Sequence, residues 1–162
     1  MYRVTGGAER SDSVLAALEF LLAQGNDDDW VLVHDAVRPC LTHDDIDRLL
    51  AVGFERPDGA LLAVPVRDTL KRQGATGRVR ATASRDGLWH ALTPQMFPLR
   101  QLHQALLTAR EYGRPVTDDA QAMETAGYQP LLVEGRPTNI KVTRPDDLAL
   151  AAAILKLHGQ AG

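Results

Sequence analysis

Residues 31–41 read VLVHDAVRPCL. With Trp30 in front, the opening WVLVH is a continuous apolar run, the pattern of a strand buried on both faces of a sheet. The run then ends in chemistry, because His34, Asp35 and Arg38 stand where such a strand would reach the surface. In open α/β sheets, ligands sit outside the carboxyl ends of the strands. A carboxylate there can hold Mg²⁺ or a sugar hydroxyl, and an arginine three residues on can fork a phosphate. It is equally a place for Asp35 to cap a turn and pair with Arg38. The stretch alone leaves both open.

Working outward, the next residues predict a helix. Thr42 and Asp45 have the spacing of a capping box ahead of Ile46, Leu49 and Leu50. GALLAVPV (59–66) reads as another buried strand. Upstream, YRVT (2–5) is a short strand candidate broken by Gly6-Gly7. Ser11 or Asp12 then caps a helix carrying Val14, Leu15, Leu18 and Leu22. NDDD (26–29) is a solvated turn. Downstream, residues 68–92 are polar, rich in arginine and in turn formers. RVRATASRDGLWHAL alternates, and Asp86-Gly87 is a hairpin signal, so this region is expected to project as a β-arm. A helix with Leu99, Leu102, Leu106 and Leu107 follows, then one over 117–126 closed by Gly127. QPLLVE and NIKV read as strands, and Pro145 opens a last helix through LALAAAIL. Strands alternating with helices predict an α/β fold, Rossmann-like, with a mostly parallel sheet.

Composition narrows the function. The 162 residues suit a single domain, and a net charge of −3 gives no broad basic field for nucleic acid. Fifteen of the 18 cations are arginine, the better phosphate fork. The lone Cys40 excludes an internal disulfide and fits a reducing compartment. No apolar run reaches the ~18 residues of a membrane span, and MYRVTGGAER lacks a secretory pattern, so a cytoplasmic protein is expected. His34 and His90 have no partner at ligand spacing, so no zinc site is expected. His43, His103 and His158 are assigned nothing.

Several stretches could carry chemistry. TGGAERSDSV sets two glycines between a strand and a helix, with Ser11 and Ser13 beyond them. Amides and hydroxyls there suit a phosphate or ribose, although a Gly-Gly turn is usually only a turn. SRDGLWHALTPQ carries Arg85, Trp89, His90 and Thr93. PVTDDAQAME sets Thr117, Asp118 and Asp119 at a helix start. In NIKV, Lys141 alternates with Ile140 and Val142 and so faces away from them.

In order along the chain, GGAERSDSV, WVLVHDAVRPCL, APVRDTLKR, SRDGLWHALTPQ, TDDAQAME and LVEGRPTNIKVTRPDDLALA resemble the 2-C-methyl-D-erythritol 4-phosphate cytidylyltransferases of non-mevalonate isoprenoid synthesis. The resemblance implies a nucleotidyltransferase (glycosyltransferase-A-like) architecture, binding of CTP and Mg²⁺, and attack of methylerythritol phosphate on the α-phosphorus of CTP. It sets Gly7, Ser13, Asp35 and Ala36 on the nucleotide side, with Asp35 also near the metal and the erythritol. Arg38, Thr69, Thr93 and Thr117 fall on the acceptor side. Arg85 and Lys141 match the two cations that position the attacking phosphate. It also implies a homodimer in which the arm brings Arg85 to the partner's site. Ala8 stands where the family often has an acid.

The family's glycine-rich loop, P-A-A-G-x-G-x-R, and the P-K-Q segment after it have no counterpart in this sequence. The chain begins at what resembles the family's third strand. Read this way, it is a family member lacking amino-terminal strands, with two sheet edges exposed and little activity alone. Two other readings remain open at this point: a non-catalytic α/β module that dimerises through the arm, and a cytidylyltransferase for another alcohol phosphate such as ribitol 5-phosphate.

Overall fold

A computed structural model describes residues 1–25 and 28–160. Asn26 and Asp27, half of the turn expected at 26–29, lie outside the described residues. The elements are α1 (Arg10–Leu22), β1 (Trp30–Val33), α2 (His43–Gly53), β2 (Ala60–Pro65), β3 (Leu70–Gln73), β4 (Val79–Ala83), β5 (Trp89–Pro98), α3 (Leu99–Glu111), α4 (Asp119–Thr125), β6 (Leu131–Glu134) and α5 (Pro145–Gln160).

Four strands make the central sheet, in the order β1-β5-β2-β6. β1, β2 and β6 run one way and β5 runs back between β1 and β2, so the sheet is mostly parallel in strand direction. β2 is the strand buried on both faces. Its Leu61 packs with α1, α3 and α4, while Leu62 packs on the other side with Leu49 of α2. Helices on both faces give three layers. α5 is seated separately, Ala151 and Ile154 resting on Cys40 with Ile140 and Val142.

Several expectations need correcting. β1 is not covered on both faces: it pairs only with β5, and Leu32 is 37% exposed. Residues 2–5 form no strand. They run as exposed coil, with the Tyr2 ring against Phe20. α1 is capped by Glu9, and Asp12 is the N3 acid that completes the capping box. The hairpin of the arm closes at 74–78, where Gly74 N–H donates to the Arg78 carbonyl, and β3 pairs with β4 alone. Asp86-Gly87 instead forms the turn that hands β4 on to β5. NIKV forms no ladder, yet the alternation holds, because Ile140 and Val142 pack beneath while Lys141 points away to Asp35.

The Thr42–Asp45 capping box is present as read. One close approach depends on a glycine: a Cβ on Gly59 would meet the Phe97 ring and the Met96 carbonyl, and its φ is +82°. This glycine turns the chain from α2 into the buried β2.

Candidate active site

The site forms where β1 runs out. Arg38 N–H donates to the Asp35 carbonyl at 2.9 Å, making a turn that brings the two side chains together. Because β5 runs backward, its amino-terminal half lies at the carboxyl ends of β1 and β2. Thr93 therefore reaches the same place, and its hydroxyl accepts the Asp35 N–H at 3.1 Å. The Thr93 hydroxyl also lies 2.9 Å from Nδ1 of His34, whose Nε2 is 3.0 Å from the Arg38 carbonyl. Asn139, buried, donates to the Thr93 carbonyl, and its own carbonyl accepts from Arg38 Nη1, both at 2.8 Å. The turn is thus held on three sides.

Asp35 lies among three cations. Arg10 Nε donates to Oδ1 at 3.0 Å, and Lys141 Nζ donates to Oδ2 at 3.1 Å. Arg38 Nε lies 3.8 Å from Oδ2, an ion pair without a hydrogen bond. Burial alone would raise the Asp35 carboxyl, but the hydrogen bonds from Arg10 and Lys141 outweigh it and hold the group below the usual carboxylate range. Burial lowers the Arg38 guanidinium, and the Asp35 charge only partly restores it. Arg10 also forks Asp119, with Nη1 to Oδ1 at 3.2 Å and Nη2 to Oδ2 at 2.8 Å. Burial pushes the Asp119 carboxyl up, and that fork opposes the push.

Two cavities meet here. A pocket of about 200 Å³ is lined by Arg10, Asp35, Arg38, Thr93, Thr117 and Lys141, among others. Thr117 is set by the start of α4: its hydroxyl donates to Gln121 Oε1, and Asp118 caps the helix by accepting Gln121 N–H. Gln95, buried in β5, holds that cap by donating to Asp118 and accepting Ala120 N–H. The second cavity, about 410 Å³ and more apolar, runs between α1 and β1 and is lined by Ser13, Val14, Leu18, Leu32, Asp35 and Ala36, among others, with Arg10 again in its wall. Gly7 sits just outside, its N–H donating to the Ser13 hydroxyl at 3.1 Å. A Cβ there would collide with Asp12.

Of the residues expected in the site, Asp35, Arg38, Thr93, Thr117 and Lys141 are brought to one pocket, and Ser13, Asp35 and Ala36 to its neighbour. Thr69 and Arg85 line neither. Both are exposed at the two ends of the arm. Sequence reasoning missed Arg10, Asn139 and Gln95, and took Asp119 only as part of a helix start. Nothing local marks the Arg10–Asp119 pair, 109 residues apart. Among the described residues, no group of three or more His, Cys, Asp or Glu could hold a metal unaided.

An α/β sheet with cations and a carboxylate gathered at its strand ends defines the class of anion- and nucleotide-handling α/β domains. Residues 1–157 match the family model for 2-C-methyl-D-erythritol 4-phosphate cytidylyltransferase. The chain is 56% identical over 158 residues to the protein of that name from Shewanella amazonensis, covering 98% of this chain and 66% of the relative. It is 59% identical over 147 residues to the one from Pseudomonas entomophila, covering 90% and 63%. Among solved structures, a 4-diphosphocytidyl-2C-methyl-D-erythritol synthase superposes with a TM-score of 0.85 at 40% identity, over 93% of this chain and 69% of that one. The Francisella tularensis cytidylyltransferase gives 0.84 at 37% identity, over 93% and 70%. The chain belongs to the 2-C-methyl-D-erythritol 4-phosphate cytidylyltransferase family. It spans just under two thirds of the length of the curated relatives, 66% and 63% for these two.

Proposed function

We propose that this chain carries the acceptor side and part of the nucleotide side of an enzyme that joins CTP to 2-C-methyl-D-erythritol 4-phosphate. The products are 4-diphosphocytidyl-2-C-methyl-D-erythritol and pyrophosphate. The observation that carries the reading is Asp35, set between Arg10, Arg38 and Lys141 at the boundary of two cavities.

The acceptor's phosphate monoester has a second pKa of ~6 and attacks as an anion, so no general base is needed. The work of the site is to bring two anions into line and offset their charge. Lys141 and Arg38 meet the acceptor phosphate in the smaller pocket, with Thr93 and Thr117 around the methylerythritol. Gly7, Ser13 and Ala36 face the cytidine and ribose along the apolar groove. Arg85 and Thr69 are delivered by the arm of a partner in a cytoplasmic homodimer, which accounts for their exposure here.

Mg²⁺ fits this donor set in one way. An ion carried in on nucleotide phosphates needs only one or two protein carboxylates, and Asp35 supplies one. Bound there, the ion would neutralise charge on the transferring phosphate. The 162 residues contain no glycine-rich triphosphate cradle, so turnover by these residues alone is expected to be slight.

The test is a coupled pyrophosphate assay with CTP, Mg²⁺ and methylerythritol phosphate. It is run on the chain alone and with a polypeptide bearing the family's glycine-rich segment. Mg²⁺-dependent release on addition, lost in Lys141→Ala, is the expected result. No release in the reconstituted protein would overturn the proposal, and ribitol 5-phosphate turned over in place of methylerythritol phosphate would reassign the acceptor.

A further inference from the structure

We propose that Arg10 is a positioning residue that fixes Oδ1 of Asp35, with the buried carboxylate of Asp119 as its anchor. Asp119 is 0% exposed at the first residue of α4. An unpaired carboxylate there would be costly, and an apolar side chain would fill the place without that cost. What its charge does is hold Arg10: both Asp119 oxygens accept from the two terminal nitrogens. A guanidinium is planar, with its N–H groups in a rigid fork. Once the far edge is pinned on Asp119, the direction of Nε is set, and it lands on Asp35 Oδ1 at 3.0 Å.

The two oxygens of Asp35 are therefore unlike. Oδ1 is held by an anchored cation. Oδ2 is held by Lys141, whose side chain is 44% exposed and can leave for a phosphate. Asp35 thus offers Oδ2 to whatever binds, a divalent cation or a hydroxyl, in an orientation that Arg10 decides. Arg10 begins α1, next to the loop that carries Gly7 and Ser13, and Asp119 begins α4, next to Thr117. One side chain thereby ties the nucleotide-side loop to the acceptor-side loop across the wall that the two cavities share.

The consequence for turnover rests on the function proposed above, whereas the tether itself can be tested without it. In side-chain ¹⁵N NMR of the 162-residue chain, the Arg10 Nε–H should exchange slowly with water. It is identified by its loss in Arg10→Lys. Asp35→Asn should shift this signal and Asp119→Asn should bring it into fast exchange. A signal indifferent to Asp35→Asn overturns the tether. In the reconstituted protein, Arg10→Lys should lower kcat by on the order of 10- to 100-fold, as lost outer partners of a ligand typically do, with the KM for CTP nearly unchanged.

The double variant Arg10→Met with Asp119→Leu removes the buried pair together and guards against simple misfolding. It should melt near the wild type yet keep the kcat defect of Arg10→Lys. Turnover restored along with the melting temperature would show that the pair is only structural, and would overturn the proposal. A wild-type reconstitution with no turnover would count against the proposed function and leave the NMR result to decide the tether.

Discussion

Lys141 and Arg85 are matched by the resemblance to the same phosphate, yet the fold treats them in opposite ways. Lys141 sits in the segment between β6 and α5, exposed itself, with Ile140 and Val142 packed beneath it and Val142 N–H donating to the Val37 carbonyl at 2.8 Å. Its amine is delivered to Asp35 by the core. Arg85 follows β4, just ahead of the turn into β5, beside an arm whose two strands pair only with each other and carry mostly exposed side chains. One cation is positioned by this chain's own packing. The other stands exposed, with no such packing from this chain. A charge pattern identifies the chemistry, and the fold decides which polypeptide supplies it.

The largest expected contrast is in stability. Phe97 is fully buried in the core beneath α1, α3 and α4, and Phe97→Ala should cost about 3–5 kcal/mol in urea unfolding. Val79, exposed on the arm, should give Val79→Ser within about 0.5 kcal/mol of the wild type. A comparable loss at Val79 would mean that the arm is covered in solution, and would point to the homodimer.

Next comes function. In the reconstituted protein, Lys141→Ala and Arg85→Ala should each remove a charge-assisted contact worth about 1.5–3 kcal/mol, roughly tenfold to over a hundredfold in turnover, while CTP affinity stays nearly intact. Mixing the two variants should regain activity, because one of the mixed dimer's sites holds both native cations. No recovery despite confirmed subunit exchange would break the contrast between a cation acting at home and one acting in the partner.

A smaller effect concerns the helix behind the site. Thr42 caps α2 by accepting Asp45 N–H, and Thr42→Ala should cost about 1 kcal/mol by thermal melting. The smallest lies at the start of α5, at the partly exposed Asp147. Backbone N–H groups of Thr143 and Arg144 hold its carboxyl below the usual value. A depressed carboxylate stabilises the fold above its unfolded pKa and loses that contribution as pH falls through the folded one. Asp147→Asn should therefore lower the melting temperature slightly near neutrality and leave it unchanged well below the carboxylate range. A pH-independent difference would show that the hydrogen bonds matter and the charge does not.

Much of the fold could be read locally. The Thr42–Asp45 box, the leucines of α1 and α3 and the doubly buried β2 all follow from rules that act within one element. Asp86-Gly87 shows the limit: the dipeptide makes its turn as composition demands, but turn chemistry does not say which strands will pair. WVLVH shows the same limit for burial, since apolar content makes a strand and only its neighbours decide how many faces are covered. In the site, Asp35, Arg38 and Lys141 were legible because each interrupts an apolar pattern. Arg10, Asp119 and Asn139 were not. Helix-start charges and loop asparagines are ordinary in sequence, and their importance comes from burial and from partners up to 109 residues away.

The shared wall between the cavities has one further consequence. Because Arg10 and Asp35 line both, a ligand in either cavity would meet the same two side chains. If a ligand in the groove alters how Asp35 meets a ligand in the pocket by some factor, the second ligand must alter the first by the same factor. Such couplings are typically about 1–3 kcal/mol. Two ligands held this way would not be independent tenants: the tightness with which each stays would be a property of the pair.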